Sequence, residues 1–232
     1  MAGERRERVR PEAVVPRIDR FDARTVLDDV FWSRMPAVAL RRAQDGGNPL
    51  QATQVRFAYD LDAFLVRFDC DDRDIWATHA RRDAPLWEEE VVELFAAPGD
   101  DDPKSYVEIE VNPLGAIFDA RVTNPDGRRD SMRVDTTWNA PGLVATVSRP
   151  SPARWSAVIE IPWYGLCDGA PPTVWRANFF RVERPRNGEH EFSCWSPTLS
   201  DPPDFHKPAS FGRLVLGGLE GNASVRRLFE EE

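Results

Sequence analysis

The chain has 232 residues, enough for one large domain with a full core. Its formal charge of −9 argues against a nucleic-acid surface, which needs a basic footprint to release counterions. Three scattered cysteines without a CxxC pair read as buried thiols, and no apolar run reaches the length of a signal core or a membrane span, so the expected location is cytoplasmic.

Residues 1–16 are charged and unpatterned and are expected to form a tail. Residues 17–217 are expected to form one domain, and 218–232 a second tail. Within the domain, DDVFWSRM is the first helical candidate and the turn at PWYGL the second. VRFAYD and AFLVRFD alternate with period two and are joined by Leu61-Asp62, a hairpin signal. EVVELFAA, YVEIEVN, AIFDARV, LVATVS, WSAVIEI, VWRANFFRV and FGRLVL follow as further strands, separated by Pro, Gly and Asp. About nine or more strands with short helical turns and no long amphipathic helix predict an all-β, immunoglobulin-like antiparallel sandwich.

The stretch PLWEEEVVELF threads an indole and four carboxylates through a strand. Alternation places Val92, Leu94, Val107, Ile109, Val111, Phe118 and Ala120 in the core. Glu93, Phe95, Tyr106, Glu108, Glu110, Asn112, Asp119 and Arg121 then share the other face. Pairing Asn112 with Ile117 sets Glu110 opposite Asp119 and Glu108 opposite Arg121. Such a face is either solvated or a groove for a hydroxyl-rich ligand, with carboxylates accepting hydroxyl hydrogens and Trp87 offering a plane to a sugar ring.

RFAYDLDAFLVRFDCDDRDI, LWEEEVVELF, YVEIEVNPLGAIFDAR, WSAVIEIPW, WRANFFR and CWSP followed by DFHKPASFGRL together resemble carbohydrate-binding module family 9, and within it the family 9-like branch. The resemblance spans roughly residues 20–216 and implies an immunoglobulin-like sandwich that clamps a sugar end between two tryptophans. By motif Trp87 matches the first tryptophan, Glu93 the carboxylate that binds hydroxyls, and Asn112 an asparagine of the site. Glu110 stands where an arginine is expected. The loop SDPPDFHKPAS holds no tryptophan, leaving Phe205 or His206 to close the other side.

The resemblance also implies structural calcium, for which Asp69, Asp71 and Asp72 in FDCDDRDI are candidates beside the alternative of a polar turn. It implies a saccharide as partner and a role beside a xylan-degrading or other glycoside hydrolase in carbohydrate catabolism, while the charge and the lack of an apolar span argue for no nucleic acid and no membrane. An interaction module with a decayed site is the main alternative. A hydrolase using a pair among Glu93, Glu110 and Asp119 is a further one, and haem ligation by the scattered His or Met another.

Overall fold

The computed structural model describes residues 10–22 and 25–218. Two sheets pack face to face. The smaller contains β2 (Ala37–Ala39), β4 (Thr53–Tyr59), β5 (Ala63–Asp71), β10 (Val144–Ser151) and β11 (Arg154–Pro162), in the order β10-β11-β5-β4-β2. The larger is built around β6 (Val91–Pro98), β7 (Ser105–Val111), β8 (Ile117–Thr123) and β12 (Val174–Glu183). It is completed by β1 (Glu12–Val15), β3 (Arg41–Arg42), β9 (Arg133–Asp135), β13 (Glu191–Cys194) and β14 (Gly212–Leu216), with the path β1-β14-β12-β6-β7-β8-β9. All pairings between named strands are antiparallel except β1 with β14. The all-β sandwich expected from the strand pattern is therefore the fold.

Local chemistry explains the elements that position the rest. Asp60 shapes the β4–β5 hairpin, its Oδ1 accepting from Asp62 N and Ala63 N at 2.9 Å each. Helix α1 (Asp29–Ser33) is capped by Asp28, whose carboxylate accepts from Val30 N at 2.8 Å. Helix α2 (Trp163–Leu166) sits where PWYGL predicts it.

The layer between the sheets contains Val92, Leu94, Val107, Ile109 and Val111, facing Phe57, Val66, Phe68, Trp155 and Ile159 of the smaller sheet. Phe57 stacks on Phe179 across it, 5.7 Å between ring centres. Trp155, Trp163, Trp175 and Trp195 all belong to this layer.

Three expectations require correction. Residues 12–15, expected in the N-terminal tail, form β1, and Val15 is fully buried. Residues 1–9 and 219–232 of the two expected tails lie outside the described residues. β8 pairs one residue out of the expected register: Val111 faces Ile117, Glu110 faces Phe118, and Glu108 faces Ala120. Phe118, Ala120 and Val122 thus join a second apolar layer on the outer side of the larger sheet, with Phe95, Phe180, Phe205 and Phe211. Alternation decides register only where one face is wet. Here loops cover the outer face, so Phe118, Ala120 and Val122 are buried there, while the other face of β8 carries Ile117, Asp119, Arg121 and Thr123. Cys167, expected as buried, is only partly so, while Cys70 and Cys194 are buried.

Candidate functional site

The four carboxylates after Trp87 diverge. Glu88 lies in solvent. Glu89 turns back to the preceding loop, accepting from Thr78 N at 2.6 Å and His79 N at 3.3 Å. Glu90 faces the end of the inter-sheet layer, where it accepts from Arg184 N and lies 3.5 Å from Arg181 Nη2. Glu93, on β6, points to the outer side of the sheet.

There the register brings like charges together. Glu93 pairs directly with Glu110 on β7, and Glu108 stands two residues along the same face. One carboxylate oxygen from each of the three lies within 4.8 Å of the others, and all three residues are buried. Glu110 Oε2 has no hydrogen-bond partner. Burial pushes Glu93 and Glu110 well above the ordinary carboxylate range, and neighbouring carboxylates add to the shift. Burial pushes Glu108 up to about 7.

This trio floors one side of a cleft of about 430 Å³. Trp87 stands at its rim, 43% exposed, in a short 3-10 turn whose Leu86 is fully buried. Phe118 meets the indole edge-on at 5.1 Å and fixes its tilt. The loop after β13 supplies the facing wall. Its Phe205 stacks on Phe180 at 4.3 Å, and His206 packs 5.0 Å from Phe95. His206 Nδ1 shares a hydrogen with Tyr106 Oη at 2.8 Å, and its Nε2 is 3.9 Å from Glu108 Oε1. Burial lowers His206 to about 4, so the ring is neutral near pH 7.

Of the residues singled out from sequence, the structure gathers Trp87, Glu93, Glu110, Phe205 and His206 around this cleft. Asn112 is not among its lining residues. Its amide is consumed by the β7–β8 turn, Oδ1 accepting from Leu114 N and Ala116 N at 3.0 Å and Nδ2 donating to His79 O at 2.7 Å. It therefore joins the turn to the loop that leads to Trp87. Asp119 points away from the trio, held by Arg82 and by Ala140 N. Arg121 lies over the Trp138 ring at 4.9 Å rather than beside Glu108. The lining residues Glu108, Arg129 and Met132 carried no distinctive motif in the sequence. Glu108 was obscured by the shifted register, since an ion pair with Arg121 accounted for it.

The aspartates considered for calcium do not fit it. Asp69 accepts from Arg56 Nη1 and Arg67 Nε at 2.7 Å and from Ser156 Oγ at 2.8 Å. Asp71 pairs with Arg154 at 2.6 Å on the surface. Asp72 is buried away from both, its Oδ2 3.1 Å from Arg181 Nη2 and 3.2 Å from Trp155 Nε1. Asp72, Glu90 and Glu183 form a second buried acidic group, but the Arg181 guanidinium already sits between Asp72 and Glu90. A calcium ion about 2.3–2.6 Å from those oxygens would collide with it.

A larger hollow of about 520 Å³ lies on the outer face of the smaller sheet, among Asp29, Arg56, Arg67, Asp69 and Arg154. Its charges pair through Arg56–Asp69, Arg67–Asp29 and Arg67–Asp69, while Arg56 Nε and Arg67 Nη1 stay buried without an acceptor, so the groups left free there are donors. The cleft beside Trp87 is smaller, its unpartnered group is an acceptor, and it alone of the two has an exposed indole at its rim.

Comparisons with known proteins agree with this architecture. The family model for carbohydrate-binding family 9 matches residues 47–216. A curated relative, an extracellular protein of Arthroderma benhamiae, is 25% identical over 177 residues, covering 72% of this chain and 80% of its own. The cytoplasmic location expected from the absence of an apolar signal core finds no support in this relative. No helix among the described residues is long and apolar enough to cross a membrane. A solved structure of a proposed carbohydrate-binding protein from Bacteroides uniformis superposes with a TM-score of 0.73 at 18% identity, over 89% of this chain and 99% of that one. A family 9 module from Caldicellulosiruptor kristjanssonii in complex with cellotriose superposes with a TM-score of 0.64 at 14% identity, over 91% and 96%. The glucose complex of a family 9 module from the same organism gives 0.61 at 12%, over 89% and 96%. With a match to most of its length and the sandwich in place, the chain belongs to carbohydrate-binding family 9.

Proposed function

We propose that this chain binds a saccharide end, without catalysis, in the cleft between Trp87 and the loop carrying Phe205 and His206. The observation that carries this reading is an exposed, pre-tilted indole at the rim of a cleft whose floor is unpaired carboxylate oxygen. Trp87 offers the apolar face that a sugar's C–H groups require. Glu93, Glu108 and Glu110 accept hydroxyl hydrogens in a site from which water is largely withdrawn. Phe205 and His206 form the second wall, in place of a second tryptophan. Asn112 positions the Trp87 loop through His79 and does not touch the ligand. The saccharide complexes formed by the Caldicellulosiruptor kristjanssonii modules support this choice of ligand class.

A hydrolase must place two carboxyl groups on either side of the bond it cleaves. The trio projects from adjacent strands of one sheet face, which suits hydrogen bonding and not flanking attack. The reading extends to an extracellular accessory role in polysaccharide breakdown, in keeping with the extracellular relative. The test is isothermal titration against mono- and disaccharides and soluble xylan and glucan. Trp87→Ala is expected to weaken whichever saccharide binds by at least ~5-fold, since stacking on an aromatic ring contributes about 1 kcal/mol or more. Unchanged affinity in that variant would remove Trp87 from the site.

A further inference from the structure

The cleft gathers three carboxyl groups at one point, more than a single neutral hydroxyl can answer. Glu93, Glu108 and Glu110 converge within 4.8 Å, each at most 6% exposed, and Glu110 Oε2 is aimed at no donor. No described lysine or arginine forms an ion pair with any of the three. Two guanidiniums line the same cleft, Arg129, whose charge reaches Glu93 and Glu108, and Arg184, but neither forms an ion pair with the trio. Arg129 enters from the β8–β9 loop, but it is paired with Asp204 through Nε at 2.9 Å and Nη2 at 2.8 Å, and its side chain is 58% exposed. Lys207 also pairs with Asp204, at 2.7 Å. Arg184, following β12, lies over the Phe192 ring at 5.8 Å. His206 is neutral and already bonded to Tyr106.

We propose that the ligand of this cleft carries a protonated amine, so that the saccharide recognised is an amino sugar, or a glycan end bearing a free ammonium. This rests on the saccharide reading above. An ammonium group brings three donors and one positive charge to three converging acceptors. A neutral hydroxyl satisfies one oxygen and brings no charge to favour the ionised form of the carboxyls. The aromatic groups agree with a cation attached to an organic body, since Trp87 and Phe118 line the same cleft and an ammonium is attracted to ring faces. A bare metal ion suits the site less well. Calcium takes six to eight oxygens from flexible loops, whereas these three carboxylates stand on neighbouring strands within a space of about 430 Å³. With the cleft empty, burial holds the trio toward its neutral form. Binding an ammonium then drives protons off the carboxyls, and affinity rises with pH until the amine itself loses its proton.

The experiment is calorimetric titration of the full chain with glucosamine, glucose, N-acetylglucosamine and, separately, CaCl₂. Each is run at ~pH 5.5 and ~pH 7 in buffers of different ionisation heat. Glucosamine is expected to bind about tenfold or more tightly than the two neutral sugars, the equivalent of one charge-assisted hydrogen bond. Its binding should release protons and strengthen from the lower to the higher pH. Glu110→Gln should lower glucosamine affinity about tenfold and reduce the proton release. Equal affinity for glucosamine and glucose in the wild type overturns the amine while leaving the saccharide reading intact. Binding of CaCl₂ lost in Glu110→Gln, with no preference for glucosamine, assigns the carboxylates to a metal and overturns it as well. No binding of any sugar removes both readings.

Discussion

Replacing Arg181 by leucine is expected to lower the unfolding free energy by about 3–5 kcal/mol, the cost of leaving a buried charge without its partner. Arg181 is fully buried on β12 and faces the space between the sheets. Its Nη1 donates to Asp71 O at 2.7 Å and to Thr53 Oγ1 at 3.2 Å, so it bridges the larger sheet to β4 and β5 of the smaller. Its Nη2 meets Asp72 at 3.1 Å and Glu90 at 3.5 Å. Leucine fills part of the volume but leaves the Asp72 carboxylate buried against Trp155, and leaves the Asp71 carbonyl without its donor. Urea unfolding measures the difference, and a loss below ~1 kcal/mol would show that the cluster reorganises without cost. A companion expectation follows from the guanidinium's position. Chelator should leave the wild-type melting temperature unchanged, because the positive charge of this group is supplied by the chain. A clear fall in chelator would restore a metal to the account.

Raising the pH from ~5 to ~8 is expected to destabilise the protein by about 2–4 kcal/mol, the reverse of ordinary acid denaturation. Glu90 is pushed up to about 8 by burial, Glu183 to about 7 and Glu108 to about 7, each from an ordinary value of 4.5. Glu93 and Glu110 move in the same direction. A carboxyl with a raised folded pKa keeps its proton in the native state after the unfolded chain has lost it. Between 4.5 and the folded values the native state therefore binds more protons, and stability falls as pH rises. Below 4.5 this contribution is complete. Above about 8 it is gone for Glu90, Glu183 and Glu108. Glu89 and Asp204 are lowered by their hydrogen bonds and oppose the trend at the acid end, and His206, lowered by burial to about 4, opposes it between there and its ordinary value of 6.5. Five buried carboxyls outweigh those three across the neutral range. Urea midpoints measured at both ends of the range test the sign, and a higher midpoint at ~pH 8 would mean that the acidic groups are paired or hydrated in solution.

The sandwich was legible because hydrophobic alternation and turn residues agree along most of the chain. AFLVRFD, YVEIEVN and WSAVIEI each place their inward residues where the inter-sheet layer needs them. The site was partly legible for the same reason: Glu93, Glu108 and Glu110 share a face on any register of β6 and β7 that buries Val92, Leu94 and Ile109. Reading failed where a second layer covers the sheet. Phe118 and Ala120 look like inter-sheet core in AIFDARV, yet they pack outward beneath the Phe205 loop, so the facing like charges are Glu93 and Glu110 and not Glu110 and Asp119. Long-range charge pairing was equally hidden. Nothing in VWRANFFRV indicates that Arg181 turns inward to Asp72, more than a hundred residues away in sequence. Asn112 illustrates a third limit, since an amide beside Pro113 serves a turn as readily as a ligand, and here both its ends are used by the backbone.

The most direct test of the assigned cleft is a crystal structure of the protein with whichever saccharide shows the tightest titration. The account predicts a sugar ring against Trp87, with polar groups directed at Glu93 and Glu110 and the far side against Phe205 and His206. A sugar seated instead in the arginine-lined hollow of Arg56, Arg67 and Arg154, with the Trp87 cleft unoccupied, would contradict it.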